Sequence, residues 1–239
     1  VDTSVLTLDR GNTTLDVMLH GNRQRRQRWA VSDAVDLSAF LADVRPRCAV
    51  GVSVVPGGLL DAISQLQAMG LVVRMVGRDV SNPLRSDYET PQTLGPDRWL
   101  GALAAYHIFG RAITIDCGSA TTVNLIEDDG VFRGGAIAPG LRAMIDGMAK
   151  ITPLLPCARP ALATPMPALS SASGVDTGVA LAFCGAVERM VAELQVAARG
   201  NATLVLTGGH AEDYLRHGKL SPAHLPDLVH RGLLLLADR

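Results

Sequence analysis

Two short stretches of the chain carry the residue types that a polyphosphate needs. Asp9-Arg10-Gly11-Asn12-Thr13-Thr14 and Asp116-Cys117-Gly118-Ser119-Ala120-Thr121-Thr122 follow the same order. An Asp at a strand end can hold a cation, a Gly lets backbone approach an oxygen closely, and the amides and hydroxyls that follow donate hydrogen bonds to anionic oxygens. Either stretch alone equally suits an ordinary turn between strands. The pair together can clamp one phosphate chain from opposite sides. A third element, Leu204-Val205-Leu206-Thr207-Gly208-Gly209, ends an apolar run in a Gly pair, which either lets a flat adenine or ribose lie against backbone or makes a sharp turn. No Gly-x-x-x-x-Gly-Lys-Ser/Thr loop and no Gly-x-Gly-x-x-Gly element occurs, so the P-loop and Rossmann routes to phosphate binding are disfavoured.

The elements that must position these residues follow from the hydrophobic spacing. Val5 to Leu8 runs into the first polar turn, and Leu15, Val17 and Leu19 alternate after it, which reads as strand, turn, strand. Ala112 to Ile115 and Val123, Leu125 and Ile126 repeat the device around the second turn. Apolar residues recur three or four apart at Leu37 to Val44, Leu59 to Met69, Asp97 to Phe109 and Val179 to Ala198, the spacing of helices. Cys48 to Val55, Leu71 to Val76 and Thr203 to Leu206 read as strands. The alternation implies an α/β fold in which helices cover mixed sheets, and the duplicated hairpins imply two related lobes facing each other. From Pro153 to Pro167 five prolines remove backbone donors, so this stretch is expected to be a long irregular crossing.

Composition sets the limits. A chain of 239 residues can bury one large core or two modest ones. Apolar residues make up 48% while aromatics are scarce, so the core is expected to rest on Ala, Val, Leu and Ile. A formal net charge of -1 gives no general attraction to nucleic acid or an acidic membrane. The Arg23, Arg25, Arg26 and Arg28 cluster beside Gly21 and Asn22 reads as a solvated hairpin. Cys48, Cys117, Cys157 and Cys184 form no Cys-x-x-Cys pair and are expected to be reduced. The six histidines lack metal-ligand spacing and read as satisfied or solvated side chains, although His210 directly follows the Gly pair. With no leader and no apolar run of membrane-spanning length, the cytoplasm is the expected location.

Asp9-x-Gly11-Asn12-Thr13, Gly95-Pro96-Asp97-Arg98, Asp116-x-Gly118-Ser119-Ala120-Thr121, Gly134-Gly135-Ala136-Ile137-Ala138-Pro139-Gly140 and Thr207-Gly208-Gly209 occur in the order and approximate spacing of type III pantothenate kinases. The resemblance covers nearly the whole chain. It implies two actin-like (ribonuclease H-like) lobes, residues 1–110 and 111–239, and a homodimer. It also implies transfer of the ATP γ-phosphate to pantothenate, the first step towards coenzyme A, with Mg²⁺ and a monovalent cation, K⁺ or NH₄⁺. On the sequence two other outcomes stay open: a kinase of another small hydroxyl acceptor, and a nucleotide-binding regulatory or accessory protein without catalysis.

Residue by residue, Asp97 matches the family's proton acceptor, and the residue type suits the task because a carboxylate can take the proton of a substrate hydroxyl; the same position also suits a helix-capping Asp. Tyr88, Gly95, Pro96 and Arg98 match substrate-binding positions, and a guanidinium suits the carboxylate of pantothenate. Thr177 falls at another substrate contact, or caps the helix that follows it. Arg10, Gly11, Asn12, Thr13, Thr14, Ser119, Thr207, Gly208 and Gly209 fall in the ATP-binding motifs. Asp116 matches the monovalent-cation ligand, and Asp9 is expected to organise Mg²⁺, through water. Two positions depart from the pattern: Ser119 stands where Thr is usual, and Asn124 where many relatives are acidic.

Overall fold

The computed structural model describes residues 4–238. In chain order the elements are β1 (Val5–Arg10), β2 (Thr14–His20), β3 (Arg25–Ala30), α1 (Leu37–Leu41), β4 (Cys48–Ser53), α2 (Leu60–Ala68), β5 (Val73–Met75), β6 (Arg85–Ser86), α3 (Pro96–Phe109), β7 (Ala112–Cys117), β8 (Ala120–Ile126), β9 (Val131–Pro139), α4 (Leu141–Ile151), α5 (Ser171–Ala197), β10 (Thr203–Thr207), α6 (Ala211–His217), β11 (Ala223–His224) and α7 (Leu228–Leu234). They belong to two compact units. One holds the chain up to Arg85, Glu89–Ala104 and the segment from Asp227 onward; the other holds Ser86–Tyr88 and Ala105–Pro226. Set beside a single cut after residue 110, the chain returns to the first unit at Asp227.

The sheet of the first unit has the order β3-β2-β1-β4-β5. β1 pairs antiparallel with β2 and parallel with β4. Side chains alternate across a strand, so Leu6, Leu8, Leu15, Val17 and Leu19 share one face. They meet Phe40, Leu41, Ala62 and Leu66 from α1 and α2 in an apolar core. Trp29 and Phe40 pack edge to face there, ring centroids 5.9 Å apart. Each fully buried Leu or Phe of this kind contributes roughly 1.5–3 kcal/mol. α1 stops short of the expected Val44 because Ala42 turns into the left-handed region at φ 50°. The opposite sheet face carries Thr7, Asp9, Asp16 and Met18 and is covered by α7. Gly232 lets that helix approach α3, since a Cβ there would lie 2.4 Å from the Leu100 carbonyl oxygen.

The second sheet repeats the plan, with the order β11-β10-β7-β8-β9-β6. Here β7 pairs antiparallel with β8 and parallel with β10. Ile113, Ile115, Val123 and Leu125 pack on Phe183, Val187 and Val191 of α5, with Leu206 and Tyr214 beside them. Of the few aromatics, Phe132, Phe183 and Tyr214 are among the most deeply buried side chains, while Phe109 is exposed.

Several elements differ from the sequence expectations. α5 begins at Ser171, eight residues before the expected Val179, because Ser170 caps it in a reciprocal box with Ser173. Thr177 therefore sits inside this helix and does not cap it. Pro153–Pro167 is irregular as expected, apart from a single 3-10 turn at Pro160–Leu162. It is tied to α5 by Arg159 N–H donating to Asp176 Oδ1 at 2.6 Å and Thr164 N–H donating to Thr177 Oγ1 at 2.8 Å. The arginine cluster does lie on a hairpin, β2–β3, but Arg26 and Arg28 are bound to the buried Asp16. All four cysteines are free thiols. Among the described residues no helix is long and apolar enough to cross a membrane.

Candidate active site

In the first unit, the expected ATP-binding residues occupy the β1–β2 tip. β1 runs through Asp9 and Arg10, and Gly11 N–H donates to the Thr14 carbonyl at 3.0 Å to close the hairpin. The Arg10 guanidinium donates to the Gly11 carbonyl, and Asn12 and Thr13 are exposed at the tip. A Cβ at Gly11 would meet Thr14 O at an ordinary contact distance of 3.8 Å, so close packing does not require glycine here. Asp9 lies near the end of β1, two residues before Gly11. No cluster of three or more His, Cys, Asp or Glu side chains suited to a metal occurs among the described residues. A single carboxylate, Asp9, fits Mg²⁺, which is usually bound through few protein carboxylates and keeps several waters.

The same unit carries Gly95, Pro96, Asp97 and Arg98 at the start of α3. Arg98 N–H donates to Asp97 Oδ1 at 2.9 Å and to the Gly95 carbonyl at 3.1 Å, which fixes the carboxylate at the helix entrance. Burial pushes the Asp97 carboxyl up from its ordinary range, and the Arg98 N–H and guanidinium only partly oppose this. A helix N-terminus favours the anion, but desolvation wins here. The outcome is a carboxylate with raised proton affinity, the property a general base requires. Arg98 is buried, at 7% exposure.

In the second unit four expected residues converge. Thr207 is the register partner of Asp116 across β10 and β7. Gly208 then turns at φ 98° directly over Asp116, where a Cβ would fall 2.4 Å from Oδ1. At Gly118 a Cβ would lie 3.2 Å from the same oxygen. Ser119 is exposed at the tip of the β7–β8 hairpin, and Gly209 is exposed beyond Gly208. Backbone thus approaches the Asp116 carboxylate at Gly208 and at Gly118. Gly140 supports the tip from below: a Cβ there would be 2.4 Å from Gly118 O and 2.5 Å from Ser119 O. Gly135 is forced too, since its Cβ would overlap Val123 O at 1.8 Å. These two contacts explain the Gly-rich β9 motif as close backbone packing.

Tyr88 packs on Phe132, centroids 6.3 Å apart, and beside Gly134. Thr177 Oγ1 accepts from Thr164 N–H and donates to the Thr164 carbonyl at 2.9 Å. His210 N–H donates to the Cys117 carbonyl at 2.8 Å, and its ring lies 2.9 Å from Asp213 Oδ2. Asn124 is buried and donates to Thr114 and Thr122, which makes it a hydrogen-bonding residue of the sheet face. Replacing Thr177 with Val leaves Thr164 N–H without its acceptor and is expected to cost about 1–3 kcal/mol. Thermal melting and faster amide exchange confined to residues 163–165 check this.

Two features escaped the sequence reading. α4 has Leu141, Met144, Ile145 and Met148 at helical spacing, a signal that was present next to the Gly-rich motif. Between α4 and α5 lies an apolar hollow of about 700 Å³ lined by Met144, Met148, Leu155, Val175 and Val179. It joins residues distant in sequence, so no local pattern marks it.

The duplicated strand order defines the class of protein. A conserved protein of the Baf family of transcriptional activators from Campylobacter jejuni superposes with a TM-score of 0.63 at 16% identity, covering 98% of this chain and 97% of that one. Ta0583, an archaeal actin homolog, superposes with a TM-score of 0.51 at 12% identity, covering 98% of this chain and 99% of that one. The fold is actin-like. A model of the type III pantothenate kinase family matches residues 5–193. The type III pantothenate kinase of Gluconobacter oxydans (strain 621H) is 28% identical over 258 residues, spanning 98% of this chain and 93% of its own length. The chain belongs to the type III pantothenate kinase family.

Proposed function

We propose that this chain transfers the γ-phosphoryl group of ATP to the primary hydroxyl of pantothenate, giving 4'-phosphopantothenate and ADP, the first step of coenzyme A biosynthesis. The observation that carries the reading is the placement of Asp97, a half-buried carboxylate whose Oδ1 is fixed by the Arg98 N–H at the start of α3 within a family motif. Asp97 accepts the proton of the pantothenate hydroxyl as that oxygen attacks phosphorus. Arg98 pairs with the pantothenate carboxylate beside Gly95 and Pro96, and Tyr88 and Thr177 are further pantothenate contacts by their match to the family. The amides and hydroxyls at each acidic hairpin tip, Gly11, Asn12, Thr13 and Thr14 on one and Ser119 on the other, are phosphate-binding elements, Arg10 adds positive charge, and the Thr207-Gly208-Gly209 turn binds nucleotide.

Asp9 holds Mg²⁺ through water and Asp116 the monovalent cation, K⁺ or NH₄⁺. These cations, when bound, offset the charge of the phosphate oxygens. No covalent enzyme intermediate is needed; positioning and charge neutralisation supply the rate. The working form is a homodimer in the cytoplasm. Support for the dimer is the exposed apolar surface beside the α4–α5 hollow, including Leu154 and Leu169 at 99% and 93% exposure. Light scattering on the eluted protein tests it.

The activity test is coupled ADP release with a panel of acceptors. Pantothenate is expected to stimulate ADP formation, and withdrawing K⁺ to lower it. Stimulation by a sugar or another hydroxy acid instead would move the acceptor assignment. Nucleotide binding with no turnover on any acceptor would replace the kinase by a regulatory binding protein.

A further inference from the structure

The Thr207-Gly208-Gly209 turn runs straight into His210, the N-cap of α6. An N-cap side chain ordinarily accepts an N–H of the helix that it starts, and Ser, Thr, Asp and Asn do this best. The His210 side chain makes no such bond. Its backbone N–H donates to the Cys117 carbonyl at 2.8 Å, which pins the residue to the end of β7 beside Asp116.

The ring is held by charged groups on α6 instead. Nδ1 lies 2.9 Å from Asp213 Oδ2, and Arg216 donates to the other carboxylate oxygen, Oδ1, at 3.1 Å. An ionised carboxylate only accepts hydrogen bonds, so the proton of the His210–Asp213 contact sits on Nδ1. In the neutral ring Nε2 then presents a lone pair. Among the described residues no protein group pairs with Nε2, and the side chain is 32% exposed. Exposed ion pairs of this kind add little stability. A carboxylate that binds Nδ1 does, however, fix the tautomer and the orientation of the ring, and with them the direction of Nε2.

Consecutive Cα atoms are only about 3.8 Å apart, so a nucleoside lying on the Gly208–Gly209 backbone can bring a donor within reach of that ring. A nucleoside of adenine offers two kinds, ribose hydroxyls and the N6 amine. Both suit a lone pair. We infer that His210 is a nucleotide-binding residue: Asp213, backed by Arg216, fixes its ring, and Nε2 accepts a hydrogen bond from a ribose hydroxyl or the adenine amine. Asp213 is a positioning residue that acts through the ring. This rests on the reading of the Thr207-Gly208-Gly209 turn as a nucleotide-binding element.

The test is calorimetric titration of the full chain with ADP, its 2′-deoxy and 3′-deoxy analogues, inosine diphosphate and pyrophosphate. His210→Ala is expected to weaken ADP binding about five- to tenfold, the scale of one neutral hydrogen bond, while pyrophosphate, which has no nucleoside, stays within about twofold. In the unaltered chain the analogue that lacks the contacted donor should bind more weakly than ADP by a similar factor, and that difference should vanish in His210→Ala. Loss with a deoxy analogue identifies a ribose hydroxyl; loss with inosine diphosphate, which carries an oxygen in place of the amine, identifies the amine. His210→Gln keeps an acceptor near the position of Nε2 and should recover most of the ADP affinity. Asp213→Ala should lose part of it through an unrestrained ring. ADP affinity in His210→Ala within about twofold of the unaltered chain, or no analogue whose deficit disappears there, overturns the inference. Equal loss of ADP and pyrophosphate affinity marks damage to the turn and overturns it as well. Gly208→Ala separates the two claims. Unchanged ADP binding in Gly208→Ala sinks the nucleotide reading of the turn, while weakened binding there without any in His210→Ala sinks only the role given to His210.

Discussion

Replacing Asp97 with Asn is expected to lower kcat by about 100- to 10,000-fold, the range a positioned general base contributes, without loss of stability at neutral pH. Asn is close in shape, and its Oδ1 can still accept the Arg98 N–H, so the start of α3 is preserved. Only the proton acceptor is lost. The stability half of the result follows from linkage. Burial raises the Asp97 pKa in the folded protein. Below the ordinary carboxyl range the group is protonated in both folded and unfolded chains and contributes nothing. As pH rises, the unfolded chain ionises first, and stability is lost until the raised pKa is passed, after which the penalty is constant. The Asn variant has no such penalty, so its melting temperature should equal or exceed that of the unaltered protein at neutral pH and gain nothing in strong acid. In the unaltered protein kcat should fall as pH drops through the raised pKa. A variant that keeps more than about a tenth of kcat would remove Asp97 from the proposed chemistry, being below the smallest usual effect of losing a base.

The second large effect is expected at Gly208. Its φ of 98° is a conformation that L side chains rarely adopt, and a Cβ would lie 2.4 Å from Asp116 Oδ1 and 2.5 to 2.6 Å from the Cys117 backbone. Asp116 and Cys117 belong to β7, which is paired on both sides, so the strand cannot give way. Backbone strain and overpacking each cost about 1–3 kcal/mol. Either the turn or the carboxylate must move, and both belong to the proposed nucleotide site. Gly208→Ala should weaken ADP binding by about 30-fold or more, equivalent to some 2 kcal/mol. Gly185→Ala is the control: it lies in α5 with open space around it, and Ala there should stabilise the helix by about 0.5–1 kcal/mol. Equal ADP affinity in Gly208→Ala and the unaltered chain would separate the Thr207–Gly209 turn from nucleotide binding.

The parts of the fold legible in the sequence were those governed by local rules. Strand alternation at Val5–Leu8 and Leu15–Leu19 fixed one hairpin, and its repetition at Ala112–Ile126 announced the duplicated plan that the two sheets share. α2 and α3 were found nearly to the residue, whereas α4, despite eleven residues and an apolar stripe, was passed over beside the Gly-rich motif. α6 and α7 have seven residues each, too few for periodicity to register. The start of α5 was misplaced because Ser170, Ser171, Ser173 and Gly174 resemble a loop by composition, whereas Ser170 and Ser173 act together as a cap. In the proposed site, Asp9 and Asp116 were singled out by residue type and order, and Asp97 by the family motif. Asp16 was not singled out, because its pairing with Arg26 and Arg28 depends on the register of β2 against β3. Arg26 and Arg28 read as solvated for the same reason: their partner is a buried carboxylate on the neighbouring strand, whereas Arg23 and Arg25 do pair with the exposed Asp43.

The central claim is that pantothenate receives the phosphoryl group with Asp97 as base. Phosphorus NMR of the purified chain with ATP, Mg²⁺, K⁺ and pantothenate tests it most directly. The account predicts a new phosphomonoester resonance on the primary hydroxyl of pantothenate, growing in step with ADP and absent in Asp97→Asn. ATP converted to ADP and free phosphate at the same rate with and without pantothenate, or an unchanged phosphomonoester signal in Asp97→Asn, would contradict it.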